Sequence, residues 1–114
     1  MLHFFFQYNL KVKYVVSQTP PNGQTTFEKS CTVEQIRGAT TVSTTTKKEA
    51  TNGGEAEATA TSLDFGTTYQ SGDKIDATCK VISTPGIGSP KDLYVKSASE
   101  TMVAQDKIIT ILSA

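Results

Sequence analysis

The stretch FFFQYNLKVKYVV, residues 4–16, decides the fold class because its apolar and polar residues alternate. From Phe6 to Val16 every second residue is large and apolar, and most of the residues between them are polar. Alternation with a period of two places the apolar side chains on one face of a β-strand. We therefore expect residues 4–16 to form a long strand that buries one face.

The same alternation recurs along the chain. Phe27, Cys31 and Val33 share one phase, and later segments with strand character lie at 75–81, 93–97 and 108–112. A helix over 25–38 competes, but its apolar residues do not collect on one helical stripe, so a strand is favoured. About seven strands at spacings of roughly 10–15 residues are typical of a β-sandwich or barrel.

Residues 39–65 differ in composition from the rest of the chain: they are rich in threonine and poor in large apolar residues. Asn52-Gly53-Gly54 has the chemistry of a tight turn, so the segment is predicted to be one long projecting hairpin with that turn at its tip. In this hairpin, Thr44 and Thr46 would lie across from Thr59 and Thr61. Such a hairpin specifies its own register weakly and could pair with a neighbouring subunit.

Length and charge narrow the function classes. The 114 residues make one domain, 1–114, of 12.2 kDa with 11 basic and 11 acidic residues. A net charge of zero gives no signature of nucleic-acid or anionic-membrane binding. Neither a membrane span nor a secretory signal is recognisable, because the first apolar run stops at Phe6. We expect a protein of the virion or the extracellular surface.

The two cysteines, Cys31 and Cys79, lie 48 positions apart, each at an apolar phase of its own segment. Both are therefore expected to face one core, either as a disulfide or as a pair of buried thiols. Two cysteines without CxxC spacing and one distant histidine do not make a zinc site.

Residues 72–81, GDKIDATCKV, resemble the penultimate strand of immunoglobulin-like domains, in which a cysteine follows an acidic turn. The chain departs from that family at Ala77, where a tyrosine is usual, and it contains no tryptophan. The resemblance implies an all-β, immunoglobulin-like sandwich of about seven antiparallel strands.

Catalytic chemistry is poorly represented. His3 is the single histidine, and Asp73 and Asp76 are spaced like turn and solvent-facing carboxylates. The loop Gly86-Ile87-Gly88 lacks the helix start that a phosphate site needs. The sequence therefore predicts no enzyme, no cofactor and no metal site.

The remaining features favour a structural subunit that acts through strand edges and loops, such as a capsid-decoration protein, a tail protein or a filament subunit. Its partner would be protein, through self-association or a larger assembly. The N-terminal strand could complete its own sandwich or be donated to a neighbour, and Ile87 could plug the core or contact a partner. The predicted interface residues are Phe6, Tyr8, Leu10, Thr44, Thr46, Thr59, Thr61 and Ile87.

The alternative is a module that binds carbohydrate or protein. Sugars stack on exposed aromatic rings, for which Tyr69 and Tyr94 are the candidates. The Thr-x-Thr pairs also resemble the flat threonine arrays of ice-binding proteins, but two pairs fit ordinary cross-strand contacts better.

Overall fold

The computed structural model describes residues 6–17, 24–51 and 60–113. Its described part is all-β, with seven strands and no helix. The strands are β1 (Leu10–Val15), β2 (Gln24–Arg37), β3 (Thr40–Thr51), β4 (Ala60–Asp64), β5 (Lys74–Pro85), β6 (Lys91–Thr101) and β7 (Lys107–Leu112).

The larger sheet has four antiparallel strands in the order β3-β2-β5-β6. β2 and β3 form a long hairpin whose turn contains Gly38, with a φ of +64° that L-amino acids with a side chain rarely adopt. On the opposite edge, β6 bulges so that Tyr94 and Val95 face Lys80 alone, and Tyr94 itself has a φ of +54°.

The smaller sheet has three strands in the order β4-β1-β7. β1 is antiparallel to β4 but parallel to β7, with Leu10 beside Lys107 and Val15 beside Leu112. The prediction of antiparallel strands throughout was therefore wrong for this one pair. Side-chain alternation is the same in both orientations, so the sequence pattern could not distinguish them.

The two sheets enclose one core, which confirms the predicted all-β sandwich of seven strands. Each sheet contributes the apolar phase of its strands. The largest wholly buried apolar side chains include Tyr14, Tyr69, Leu10, Ile75, Met102, Ile109 and Ile111. On β7 the alternation leaves Ile108 and Leu112 exposed, so this strand is buried on one face only.

The predicted hairpin over residues 39–65 was wrong. β3 pairs with β2, and β4 lies in the other sheet beside β1, so the long hairpin of the fold is β2–β3. The physical reason is that Thr61, Leu63 and Phe65 lie at alternate positions and are buried in the core. Their burial stabilises the pairing of β4 with β1. The turn residues Asn52-Gly53-Gly54 lie outside the described residues.

The strand expected over residues 4–16 is shorter than its pattern. β1 begins at Leu10; before it, Tyr8 forms a single antiparallel bridge with Tyr69. β1 is the central strand of its own sheet, so in this structure it completes its own sandwich. Residues 25–37, where a helix competed, lie within strand β2, as favoured from the sequence.

Candidate functional site

The candidate site is the free edge that β3 gives to the four-stranded sheet. β3 is paired with β2 on one side, and within residues 6–17, 24–51 and 60–113 no strand pairs with its other side. Residues 40–46 read TTVSTTT and carry no charge; all of residues 40–50 are exposed or partly exposed. Edge strands usually carry lysines, prolines or bulges that block pairing with another chain. Here a bulge lies at Val42 and the lysines begin at Lys47, so residues 43–46 contain none of these blocking features.

The cysteine pair fixes which backbone groups of β3 point outward. Cys31 and Cys79 lie directly opposite each other with 4.0 Å between their Cα atoms, which marks a close pair without mutual backbone hydrogen bonds. The N–H and C=O groups of Cys31 therefore point toward its partner on β3, Lys47. Because the direction alternates along a strand, Thr44 and Thr46 direct their N–H and C=O groups away from β2.

Thr44 and Thr46 therefore bring two properties together. Their backbone groups point out of the sheet edge, and their side chains lie on the outer face. Thr46 is at one end of a row of hydroxyls that crosses all four strands, with Thr32, Thr78 and Ser97. The hydroxyls join in pairs, 2.8 Å from Thr32 to Thr46 and 2.7 Å from Thr78 to Ser97.

This edge can accept a further strand. Outward N–H and C=O groups in register are the donors and acceptors of the next ladder, and an added strand would satisfy them as β2 satisfies the other side. Residues 40–46 carry hydroxyl and methyl groups and no ionisable side chain. Its chemistry is that of backbone pairing.

The predicted threonine position on β4 does not join this site. Thr61 lies on β4 beside Tyr14 and is 7% exposed, so it belongs to the core of the smaller sheet. Thr59 lies outside the described residues. Thr61 is therefore not part of the expected threonine array, because it pairs with Tyr14 in the smaller sheet, whereas Thr44 and Thr46 face Glu34 and Thr32 on β2.

The N-terminal interface residues separate by burial. Leu10 is wholly buried, and Tyr8 packs partly buried against the core, so both belong to the sandwich interior. Phe6 is 73% exposed and is free to contact another molecule. Its role in an interface remains a prediction.

Ile87 is 96% exposed in the loop between β5 and β6. Of its two expected roles, the core plug is excluded by this exposure. The side chain is available for a partner, although the β3 edge lies on a different strand of the sheet.

The aromatic residues expected to stack on sugars lie elsewhere. Tyr69 is 1% exposed and sits in the core, and Tyr94 is partly buried against it. Burial raises the pKa of the Tyr69 phenol, with the charge of Asp73 adding to the effect. Tyr69 cannot stack on a sugar, and the carbohydrate alternative loses one of its two candidate rings.

The cysteines form a disulfide between β2 and β5, two neighbours in one sheet. The disulfide of antibody domains joins the two sheets instead. Cys31 and Cys79 are both wholly buried. The bond therefore secures the four-stranded sheet internally and does not tie the sheets together.

The sequence did not predict a cluster of hydrogen bonds around one buried carboxylate, Asp73, at the end of β2. Asp73 was expected to be a turn carboxylate in solvent, but it is 1% exposed. The Arg37 guanidinium donates to both of its oxygens, at 2.8 and 2.9 Å, and the Gln35 amide and the Gln70 N–H donate to Oδ2. Ser43 of β3 donates to Gln35 and so links the edge strand to the cluster.

These hydrogen bonds set the protonation of Asp73. Burial alone would raise the pKa of its carboxyl, but the hydrogen bonds from Arg37, Gln70 and Gln35 outweigh burial and lower that pKa. The carboxylate is therefore ionised at neutral pH. Its hydrogen bonds join Gln35 and Arg37 of β2 to Asp73 and Gln70, so the cluster holds the turn before β5 against the β2–β3 hairpin. The signal in the sequence was that Arg37 is the only arginine, the residue best suited to a bidentate carboxylate pair.

Metal and membrane sites find no support in the part of the chain that the structure describes. Over residues 6–17, 24–51 and 60–113, no three histidine, cysteine, aspartate or glutamate side chains come together in a metal-binding group. No helix with the length and apolar character of a membrane span occurs in those ranges. His3 lies outside them.

No family model and no curated protein matches the chain. Among solved structures, the chain is similar to the crystal structure of a mutant of the major pilin from Streptococcus pyogenes, with a TM-score of 0.37 and 16% sequence identity. The match covers 94% of this chain and 47% of the pilin chain, so the chain spans about half of that protein. This likeness does not place the chain in a family.

Proposed function

We propose that the chain is a non-enzymatic structural subunit that associates through the β3 edge with the β3 edge of a second copy. The observation that carries the proposal is the outward direction of the backbone groups of Thr44 and Thr46 in an uncharged, exposed stretch of edge strand. Strand addition would give one continuous sheet across two copies.

The charges along β3 favour an antiparallel arrangement. With Thr45 of both copies on a two-fold axis, Thr44 of one copy pairs with Thr46 of the other, and both direct their backbone groups outward. Lys47 and Lys48 then lie opposite Ser43 and Val42, so no like charges face each other. A parallel arrangement in register would set each lysine against its own copy, which costs stability.

Net charge supports association between copies. The chain has equal numbers of basic and acidic residues, so two copies meet without long-range repulsion. A two-fold contact is also the commonest way in which identical chains associate, because one self-complementary patch serves both partners.

Light scattering of the native protein over a concentration series tests the proposal. We expect the mass to rise from 12.2 kDa to twice that value as concentration increases. Thr44→Pro removes an outward N–H without removing a bond to β2, and proline is tolerated on edge strands. This variant should stay monomeric at concentrations at which the wild type is dimeric.

Ser97→Pro is the matched control. Ser97 lies opposite Thr78 on β6 and directs its N–H out of the other edge of the same sheet, by the same alternation. It should associate like the wild type, with an unchanged circular dichroism spectrum in both variants. A wild type that stays monomeric at every concentration, or a Thr44→Pro variant that still associates, would overturn the proposal.

A further inference from the structure

The pairing of β1 with β7 has mechanical consequences. The two strands are parallel and pair over their full lengths, Leu10–Val15 against Lys107–Leu112. The chain enters β1 at the Leu10 end of the pair and leaves β7 at the Leu112 end. The entry and the exit therefore lie at opposite ends of one ladder.

The ladder is extended at both ends by further hydrogen bonds. The Lys107 N–H donates to the Asn9 carbonyl at 2.9 Å, and the Ser113 N–H donates to the Val15 carbonyl at 2.9 Å. The Asn9 N–H donates to the Asp106 carboxylate at 2.8 Å, and the Ser17 N–H donates to the Ser113 hydroxyl at 3.0 Å. These contacts hold both ends of the pair, where a strand ladder would otherwise fray.

We propose that the domain bears tension along its own chain, with the β1–β7 ladder as the clamp. A pull on the chain before β1 and after β7 drives the two strands past each other along their length. All the hydrogen bonds of the ladder then share the load. Had the pair been antiparallel, both ends of the pull would meet at one end of the ladder, and the bonds would break one after another.

The disulfide limits how far the chain extends once the clamp has broken. Cys31 and Cys79 enclose a segment with a sequence separation of 48 residues, and neither lies on a strand of the clamp. While the bond is intact, this segment cannot lengthen under load. At the extended reach of a chain, the bond withholds roughly 160 Å of length.

Burial of the disulfide orders the two events. Both cysteines are wholly buried between the sheets, so a thiol in solution reaches the sulfur atoms only after the sandwich has opened. The clamp must therefore break before a reductant can release the enclosed segment. This order does not depend on association through β3, since it concerns single molecules.

Single-molecule pulling tests the clamp, and it uses two attachment geometries on the same fold. Handles at the two ends of the chain load the β1–β7 ladder in shear. Handles at Thr44→Cys and Ser97→Cys, on exposed faces of β3 and β6, pull across the four-stranded sheet and leave the clamp unloaded. Forced unfolding reports the barrier along the loaded direction. We expect a several-fold lower rupture force across the sheet.

Dithiothreitol in the buffer tests the order of events with the end-to-end handles. We expect each rupture of the clamp to be followed by a second extension of roughly 160 Å, which is absent without the reductant. Equal rupture forces in the two geometries, or the second extension appearing before the first rupture, would overturn the proposal. A protein that never dimerises but shows the shear resistance would refute the proposed function alone.

Discussion

Cys31 and Cys79 face each other across neighbouring strands of one sheet, with 4.0 Å between their Cα atoms and a disulfide between their sulfurs. This relationship shows how the backbone hydrogen bonds alternate along β2 and β3 between the bulge at Val42 and Lys47. It follows that Thr44 and Thr46 expose their backbone groups at the β3 edge. A bond in the interior of the sheet thus identifies which residues of the edge can pair.

Removing the disulfide should destabilise the fold without changing it. The bond closes a loop with a sequence separation of 48, and the loop-entropy model assigns such a crosslink about 4 kcal/mol. The double variant Cys31→Ala/Cys79→Ala should lose about this free energy of unfolding in urea titrations and keep its strand content by circular dichroism. Wild-type protein that is unfolded and refolded under a reductant should show a similar loss. Equal stability with and without the bond would contradict this expectation.

The Asp73 cluster should make stability depend on acid pH. The pKa of Asp73 is lowered from its ordinary value of 3.8, so the folded state favours the carboxylate. Stability from this group is present above pH 3.8 and is lost as the pH falls through the lowered pKa. Urea titrations over a pH series should show this decline.

Asp73→Asn tests the same cluster by mutation. The amide keeps part of the hydrogen bonding but leaves the Arg37 guanidinium without its anion. We expect the free energy of unfolding to fall by about 2 kcal/mol at neutral pH. Below pH 3.8 it should decline less steeply with falling pH than in the wild type. Asp76→Asn is the control, because Asp76 lies on the outer face of β5 and is partly exposed. If Asp73→Asn leaves the decline in stability at acid pH unchanged, a group other than Asp73 causes that decline.

Tyr14 should limit stability at alkaline pH. Burial, followed by interaction with Tyr94, raises the pKa of the Tyr14 phenol from 10.0 to about 12. Folding therefore favours the neutral phenol, which also donates a hydrogen bond to the Tyr94 carbonyl. Its contribution is complete below pH 10.0 and is lost as the pH rises toward about 12. Spectroscopic titration of the phenolates should show a tyrosine that ionises only near this pH and is absent in Tyr14→Phe.

Neighbouring isoleucines on β7 test the register of the clamp strand. Ile109 is wholly buried and Ile108 is 62% exposed. Ile109→Ala should cost about 2–4 kcal/mol, whereas Ile108→Ala should change stability by less than about 0.5 kcal/mol. Urea unfolding of the two variants makes the comparison. The reverse order of effects would mean that β7 is displaced by one residue.

The alternation of apolar residues was enough to predict the sandwich, because burial of one strand face is a local property of the sequence. Pairing between strands is not local. β4 packs beside β1 because Thr61, Leu63 and Phe65 reach the core, although the Asn-Gly-Gly turn chemistry favoured a hairpin with β3. The parallel pairing of β7 with β1 could not be predicted either, because Ile109 and Ile111 would be buried in a parallel or an antiparallel pair.

The sequence singled out Thr44 and Thr46, but for a contact with Thr59 and Thr61 across one hairpin, whereas Thr61 pairs with Tyr14 in the other sheet. Their position at a sheet edge depends on β2 being the one described strand that pairs with β3, which single-strand patterns do not reveal. Asp73 was misassigned because a turn sequence does not show that Gln35 and Arg37 fold over it.

Amide hydrogen exchange, measured residue by residue at low and high protein concentration, tests the central claim most directly. At low concentration the Thr44 and Thr46 N–H groups face solvent and should exchange rapidly, as should that of Ser97. At concentrations at which the mass doubles, exchange at Thr44 and Thr46 should slow while Ser97 remains fast. If the mass doubles and the Thr44 and Thr46 amides still exchange rapidly, the β3 edge is not the contact between subunits.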